Sequence, residues 1–349
     1  MPRALSGSGL PQEPRLGTAG MRDSLDFIVI GAGKSGSSSV FEHLRAHPEL
    51  YIPPQKEYPF FSRDDVYANG WSAYMWNAFR GAPSAARWGT VTPQYMAGCP
   101  IRVEGGQVKG WDSIEPTEEI IPRRIRAQLP DVKLVAILRD PVERCISAYG
   151  MDILLGKADR RRFDRTIDEL LSSSGLESAR RQRAPTYVTA GEYGRILQAF
   201  YDVFPHEQIL VCFTGDLEHS ARELMVELFG YLGVDRDFVP DSLNKRYRQG
   251  ATSTRIGWLP SPWKLEKTLA RQRWARALWR RLPATVQSGA LMRSRRANYR
   301  FLLWNQGGRP FDRRDASRAT LQRLHAHYEL DRVLLEEVIG KPVPWRAAR

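Results

Sequence analysis

Residues Phe27-Ile-Val-Ile-Gly-Ala-Gly-Lys-Ser-Gly-Ser-Ser-Ser-Val-Phe-Glu-His-Leu44 decide the fold of this chain. The apolar, mostly β-branched run that ends at Gly31 is typical of a buried strand. A turn rich in glycine and serine follows, and Val40, Phe41 and Leu44 then have the spacing of an amphipathic helix. Backbone N–H groups in such a turn, together with the positive end of the helix dipole, form a cradle for an anion. We therefore predict a strand, an anion-binding loop and a helix, with phosphate or sulfate as the simplest occupant.

The loop side chains add further donors to this cradle. Lys34 supplies a mobile positive charge, and several serine hydroxyl groups lie around it. A plain glycine-rich turn with a solvated lysine is the alternative, which the crowding of small hydroxyl residues disfavours. The predicted anion ligands are Lys34, Ser35, Gly36, Ser37, Ser38 and Ser39.

Three known nucleotide-binding loops resemble this stretch. Gly31 to Gly36 has the glycine spacing of a dinucleotide-binding turn, but the second strand expected about 20 residues later is broken by two prolines. Gly33 to Ser35 is similar to the end of a Walker A loop, but Ile28 stands where that loop needs its first glycine. The sequence K-S-G-S-S-S, from Lys34 to Ser39, resembles the 5′-phosphosulfate loop of sulfotransferases that use 3′-phosphoadenosine 5′-phosphosulfate (PAPS).

A second segment decides between these loops. Val132–Leu138 is typical of a buried parallel strand, and Arg139-Asp-Pro141 follows it directly. Ligands bind at the carboxyl ends of strands in open α/β sheets, which is where Arg139 stands. An arginine there, with Ser147 eight residues later, resembles the 3′-phosphate motif of sulfotransferases. Helix capping by Arg139 and Asp140 is the alternative, but two motifs in this order favour the sulfotransferase family.

A third segment resembles the carbohydrate branch of that family, which includes the heparan sulfate enzymes. Lys56-Glu57-Tyr-Pro-Phe-Phe61 is similar to its K-E-x-x-F-F element, and the resemblance implies that Glu57 is the general base. A Lys–Glu surface pair beside a core contact is the other interpretation. Thr92-Pro93-Gln94-Tyr95 resembles the branch's K-[ST]-P-x-Y element, with Val91 in place of the lysine and no histidine.

Other parts of the resemblance are less specific. It implies that Tyr193 packs on adenine, although a core tyrosine fits the same helix pattern. It also implies that a late basic loop closes over the 3′-phosphate, for which Lys245, Arg246 and Arg255 are candidates. The aromatic-rich stretch from Trp71 is expected to wall the acceptor pocket.

Alternating strand and helix patterns predict an α/β fold, with a P-loop-like parallel sheet flanked by helices on both faces. We expect a disordered tail at residues 1–22 and a single sulfotransferase domain at 23–349. Residues 258–283 are predicted to form a basic, tryptophan-rich amphipathic helix, either a lid or a membrane-facing element. Arg318–Ile339 is predicted as a helix stopped by Gly340.

Basic side chains outnumber acidic ones by 13, since there are 52 Lys and Arg against 39 Asp and Glu. This surplus favours a partner that is a polyanion, such as PAPS, nucleic acid, an acidic lipid surface or an anionic acceptor. The three dispersed cysteines indicate buried thiols in a reducing compartment, and the histidines and cysteines have no metal-ligand spacing. No run of about 18 apolar residues and no signal-peptide pattern occurs, so we expect a cytoplasmic protein, with peripheral contact at the inner membrane face left open.

The resemblance implies a bacterial-type sulfotransferase that moves a sulfuryl group from PAPS, without a metal, to a hydroxyl group. The expected acceptor is a small molecule, a carbohydrate, a glycolipid or a secondary metabolite, and no nucleic-acid partner is expected. Two alternatives stay open: a P-loop kinase, which would need Mg²⁺ held by an acidic strand end, and a non-enzymatic protein that binds polyanions or a membrane surface.

Overall fold

A parallel sheet forms the centre of the computed structural model, which describes residues 22–104, 107–109, 117–243, 252–254 and 306–345. In chain order the strands are β1 (Phe27–Gly31), β2 (Leu50–Tyr51), β3 (Arg87–Val91), β4 (Arg102–Glu104), β5 (Gln107–Lys109), β6 (Lys133–Leu138), β7 (Ile209–Phe213), β8 (Thr252–Thr254) and β9 (Gln306–Pro310). The central sheet has the order β2-β3-β1-β6-β7. Its neighbouring strands all pair in parallel, while β4-β5 and β8-β9 are antiparallel pairs.

Helices cover both faces of this sheet. They are α1 (Ser37–Arg45), α2 (Asp64–Tyr67), α3 (Trp71–Phe79), α4 (Ile120–Gln128), α5 (Pro141–Leu154), α6 (Phe163–Leu171), α7 (Ser173–Arg180), α8 (Tyr193–Tyr201), α9 (Thr214–His219), α10 (Ala221–Leu232) and α11 (Arg318–Ile339). Short 3₁₀ turns occur at Pro93–Met96, Thr117–Glu119, Arg160–Arg162, Thr189–Gly191, His206–Gln208 and Arg313–Asp315. The α/β fold predicted from the sequence is therefore confirmed.

The alternation of side chains along β1 builds two cores, because successive residues of a strand point to opposite faces. Ile28 and Ile30 pack with α4 and α8 on one face. Phe27 and Val29 pack with α1 and α10 on the other. All five residues of β1 are buried, so the loop after Gly31 starts from a fixed point.

The aromatic stretch that begins at Trp71 belongs to the first core. Trp71 stacks on Tyr74 with ring centroids 4.8 Å apart, and Phe79 stacks on Trp88 at 5.5 Å. All four side chains are buried. These four rings therefore give no support to the prediction of an acceptor pocket wall, because they are covered by one another and by the sheet. Trp76 of the same stretch is half-buried, and its contact with an acceptor stays a prediction.

Helix α11 has the bounds predicted from the sequence and ends at Gly340, whose backbone is left-handed. It packs along α8, and Asp331 of α11 accepts hydrogen bonds from the backbone N–H groups of Gly194 and Arg195 at 2.9 Å each. A carboxylate at the start of a helix satisfies two of its unpaired donors.

In the part of the chain that the structure describes, no helix combines the length and apolar character needed to cross a membrane. The predicted tail, apart from Arg22, and the predicted helix at 258–283 lie outside the described residues.

Candidate functional site

The loop between β1 and α1 has the backbone geometry of an anion cradle. Lys34 has a φ of 74° and Gly36, the residue before α1, has a φ of 91°. A Cβ atom on Gly36 would lie 2.7 Å from Cδ2 of Leu217, so any other residue would have to displace that side chain and adopt a left-handed backbone, which favours glycine. Helix α1 has no acidic residue in its first turn, which leaves the positive end of its dipole uncompensated by its own side chains.

Hydrogen bonds fasten this loop to the carboxyl end of the sheet. The N–H of Ala32 donates to the carbonyl of Ile137 in β6 at 2.8 Å. The hydroxyl of Thr214, at the end of β7, lies 3.0 Å from the carbonyl of Ser35 and 3.1 Å from that of Leu138. The loop is thus held between the ends of three strands.

The strand order reverses at this loop. From β1 the chain builds β3 and β2 on one side and β6 and β7 on the other, so the crevice between β1 and β6 is a topological switch point. Ligands of open α/β sheets bind outside the strand ends at such a point. Lys34 follows β1 and Arg139 follows β6, so both predicted donor ligands belong to this crevice.

Arg139 begins the segment that leads into α5. Its guanidinium group lies 3.6 Å from the carboxylate of Glu143, one turn into the helix. The side chain of Asp140 caps α5 by accepting from the N–H groups of Val142 and Glu143 at 2.9 and 3.1 Å. The capping alternative therefore holds for Asp140, while Arg139 stays one-third exposed. Ser147 is half-buried on the same helix, and its contact with a 3′-phosphate stays a prediction.

Glu57 lies beside the anion loop through its neighbour Lys56. The Nζ atom of Lys56 lies 3.1 Å from the hydroxyl of Ser37, 3.1 Å from that of Ser38 and 3.4 Å from Oε1 of Glu57. Nε2 of Gln94 donates to Oε2 of Glu57 at 2.8 Å. Both carboxylate oxygens of Glu57 are thus oriented, and 36% of its side chain stays exposed.

The Thr92–Tyr95 element holds the Glu57 segment against β3. Glu57 donates its N–H to the carbonyl of Val91 at 3.2 Å, and Tyr58 donates its own to the hydroxyl of Thr92 at 3.3 Å. The hydroxyl of Tyr95 donates to the carbonyl of Tyr58 at 2.8 Å. In this structure, the element that resembles the family motif therefore holds the Glu57 segment in place.

Lys56 and Gln94 are the site residues that the sequence alone did not single out. Lys56 is the neighbour of Glu57 in the K-E-x-x-F-F element, and Gln94 is the unspecified position of the Thr92–Tyr95 element. The one available indication was the charge of Lys56 next to Glu57. The contacts of both residues span 18 to 37 positions of the chain, which no local pattern encodes.

A cavity of about 320 Å³ opens beside Lys34, between α5 and residues 182–187. Arg144 in its wall is 4% exposed and donates to the carbonyls of Thr186 and Tyr187. The hydroxyl of Tyr187 donates to Asp152 at 2.6 Å, and burial together with this carboxylate raises the pKa of Tyr187. The cavity therefore places hydroxyl, carboxylate and guanidinium groups next to the loop lysine.

The predicted contact of Tyr193 with adenine has little support from its surroundings. Tyr193 is 1% exposed, its ring centroid lies 6.2 Å from that of Trp345, and burial raises its pKa. Its contact with adenine stays a prediction and would need these neighbours to move. Lys245, Arg246 and Arg255 lie outside the described residues.

The histidines that precede the Glu57 segment have structural partners. Nδ1 of His43 lies 2.9 Å from the hydroxyl of Ser242, and burial lowers the pKa of His43. Nε2 of His47 lies 2.9 Å from the carbonyl of Asp235, while its Nδ1 accepts from the N–H of Glu49. Within the described ranges, no group of three His, Cys, Asp or Glu side chains is placed to hold a metal ion.

Comparison with known proteins gives relatives of one kind. No family model matches the chain. A membrane-associated sulfotransferase, kil1, of Dictyostelium discoideum is 30% identical over 130 residues, which is 37% of this chain and 23% of that protein. Human heparan sulfate glucosamine 3-O-sulfotransferase 3B1 is 26% identical over 237 residues, which is 67% of this chain and 48% of that protein.

The chain thus spans less than half the length of these two curated relatives. A solved structure, a sulfotransferase from Alicyclobacillus acidocaldarius, has a TM-score of 0.54 at 21% identity and covers 91% of this chain and 97% of its own. That likeness concerns the fold. The sequence relatives and the shared fold support a sulfotransferase family that resembles the heparan sulfate type.

Proposed function

We propose that this protein transfers a sulfuryl group from PAPS to a hydroxyl group of a carbohydrate-type acceptor. The observation that carries the proposal is the placement of two phosphate-type motifs at neighbouring strand ends. The Lys34 loop follows β1, and Arg139 follows β6, on the two sides of the switch point.

The donor fits the residues present at this crevice. PAPS supplies the sulfuryl group and carries a 3′-phosphate in addition. The left-handed loop and the start of α1 suit the 5′-phosphosulfate, because backbone N–H groups and the helix dipole favour an anion there. Arg139 and Ser147 are assigned to the 3′-phosphate, which distinguishes PAPS from ATP.

Glu57 is assigned as the general base that accepts the proton of the acceptor hydroxyl group. In the proposed step the acceptor oxygen forms a bond to sulfur while the bond from sulfur to the 5′-phosphate oxygen breaks. Glu57 takes the hydroxyl proton, and Lys34 stabilises the charge that develops on the departing oxygen. Positioning and charge stabilisation of this kind supply most of the rate in related group transfers.

The acceptor is proposed to be a carbohydrate for two reasons. Relatives such as the human 3B1 enzyme are named as heparan sulfate glucosamine sulfotransferases. The cavity beside Lys34 also presents Asp152, Gln182 and Tyr187, groups that form hydrogen bonds with hydroxyl-rich molecules. Glycolipids and hydroxylated secondary metabolites carry the same hydroxyl chemistry.

The test combines donor binding with transfer to a defined probe. We expect micromolar or tighter binding of 3′,5′-ADP, measured by calorimetry, and transfer from PAPS to heparosan oligosaccharides without added divalent metal. Arg139→Ala should weaken 3′,5′-ADP binding by about tenfold or more, because a charged hydrogen bond contributes roughly 1.5–3 kcal/mol. Ser147→Ala should weaken it less.

Binding of adenosine 5′-phosphosulfate, which has no 3′-phosphate, should be nearly unchanged in both variants. Arg165→Ala is the matched control, since Arg165 is exposed and pairs with Glu169 on α6. Equal losses for both ligands would contradict a 3′-phosphate site. Binding of ATP with Mg²⁺ in preference to 3′,5′-ADP would favour the kinase alternative.

A further inference from the structure

Lys56 lies between the start of α1 and the carboxylate of Glu57. Its Nζ atom contacts the hydroxyl groups of Ser37 and Ser38 and Oε1 of Glu57, at 3.1, 3.1 and 3.4 Å. The side chain is 12% exposed, so the ammonium group is largely withdrawn from water. Contacts inside the site therefore replace much of the hydration of this ammonium group.

The electrostatics of this position are unusual for a lysine. Helix α1 directs the positive end of its dipole at Ser37 and Ser38, and its first turn contains no acidic side chain. A cation at a helix N-terminus is unfavourable, whereas an anion is favourable. The carboxylate of Glu57 offsets part of this cost. An anionic group bound between Lys56 and the loop would be stabilised both by the ammonium group and by the positive end of the helix dipole.

Strand β3 has no cationic side chain at its carboxyl end. Val91, its last residue, is 1% exposed and packs in the core with Val29 and Val40. The segment that carries Lys56 is fastened to the same strand end, because Glu57 donates its N–H to the carbonyl of Val91. Lys56 therefore brings a positive charge to the strand end from a neighbouring loop.

We propose that Lys56 is a second catalytic cation, which binds a non-bridging oxygen of the sulfuryl group between the α1 loop and Glu57. The inference rests on the proposed function and extends it. Lys34 then stabilises the departing oxygen while Lys56 stabilises the group in transfer. Lys56 exchanges its serine hydroxyl partners for a sulfuryl oxygen, and its proton count does not change during the step.

Ligand binding separates this role from a general charge effect. PAPS has the sulfuryl group and 3′,5′-ADP does not. Lys56→Met should weaken PAPS binding by about tenfold or more and leave 3′,5′-ADP binding within threefold of wild type. Lys133→Met is the matched control, because Lys133 begins β6 at the amino-terminal end of the strand, away from the anion loop, and donates to the carbonyl of Tyr231. Lys56→Arg should restore part of the PAPS affinity.

A double-mutant comparison separates direct contact with the sulfuryl group from positioning of Glu57. Transfer from PAPS to heparosan oligosaccharides should fall by about 10²–10³ in Lys56→Met. In a Glu57→Gln background, Lys56→Met should still lower the rate by tenfold or more. A further loss below threefold in that background, or equal losses of PAPS and 3′,5′-ADP affinity, would overturn the proposal. A wild-type protein that binds neither nucleotide would instead remove the proposed function, and this inference with it.

Discussion

Two residues predicted to act in catalysis have a strained backbone. Among the described residues other than glycine, only Lys34, Glu57 and Gln182 have a φ in the left-handed region, at 74°, 75° and 57°. Such conformations cost of order 1–3 kcal/mol each and persist where the surrounding structure fixes them. All three residues lie at the anion loop or at the cavity beside it. The strain therefore coincides with the site that the motifs indicate.

At the residue scale, substitutions of Glu57 and Lys34 test their two catalytic roles through nucleotide binding and the rate of transfer. Glu57→Gln keeps the size and the contact with Gln94 but removes the base, so transfer should fall by about 10²–10⁴ with 3′,5′-ADP affinity retained. Lys34→Ala should lower the rate by about 10²–10³. Single-turnover rates with PAPS, together with calorimetry, measure both effects.

Substitution of the two nearby histidines provides a further readout for the role of Glu57. If Glu57→Gln keeps full activity while substitution of His43 or His47 abolishes it, then Glu57 is not the base and the resemblance to the carbohydrate branch fails at this residue.

At the scale of the element, the loop and α1 depend on one glycine. Gly36 combines a left-handed backbone with close contact to Leu217, which packs from α9. Gly36→Ala should lower the free energy of unfolding by more than 1 kcal/mol and weaken 3′,5′-ADP binding by at least tenfold, since both the backbone and the neighbour must shift. Thermal unfolding and calorimetry measure the two effects.

Gly81 provides the matched control for this element. It also has a left-handed backbone, with a φ of 83°, but no atom lies within 4 Å of an added Cβ. Gly81→Ala should therefore destabilise the fold by about 1 kcal/mol without changing nucleotide affinity. Similar losses of nucleotide affinity in both variants would show that Gly36 acts through global stability and not through the shape of the loop.

At the scale of the whole molecule, a buried carboxylate joins three helices behind the site. Glu192 is 2% exposed and accepts from Arg180 of α7 at 2.8 Å, from Arg195 of α8 at 2.7 Å and from His327 of α11 at 3.1 Å. Burial alone would raise the pKa of Glu192, but the hydrogen bonds from His327 and Arg180 outweigh it and lower the pKa below its usual 4.5.

The lowered pKa of Glu192 determines how the stability of the fold changes with pH. A carboxylate whose pKa is lower in the folded state stabilises the fold above its unfolded pKa, and that contribution is lost as the pH falls through the folded value. Glu192→Gln should therefore reduce the free energy of unfolding by about 3 kcal/mol at pH 7, because it removes the buried negative charge that Arg180, Arg195 and His327 contact. The difference from wild type should shrink below pH 4 in denaturant titrations.

The exposed Glu169 is the control for Glu192. It pairs with Arg165 on α6, and Glu169→Gln should change stability by less than about 0.5 kcal/mol at any pH. Burial raises the pKa of the neighbouring Asp331, so Asp331 changes the pH dependence of stability in the opposite direction to Glu192. The test therefore compares the stability of each variant with that of wild type at the same pH. A constant difference between Glu192→Gln and wild type from pH 3 to pH 7 would contradict the assignment.

Local patterns in the sequence determined the elements that carry the motifs. The apolar run before Gly31, the strand that ends at Leu138 and the helix from Arg318 to Ile339 are all present as predicted. Each depends on a short-range cause, such as side-chain periodicity, a proline at a helix start or a glycine at its end. The order of the two phosphate-type motifs along the chain also indicated the resemblance to sulfotransferases.

The tertiary structure alone decided which side chains meet. Glu57 and Gln94 are 37 positions apart, and Arg180, Glu192 and His327 come from three helices. The aromatic stretch from Trp71 has a composition that suits either a pocket wall or a core, and only the ring contacts show that Trp71, Tyr74 and Phe79 belong to the core. Periodicity fixes which face of an element is apolar, but the contacts of a polar side chain depend on how distant elements pack together.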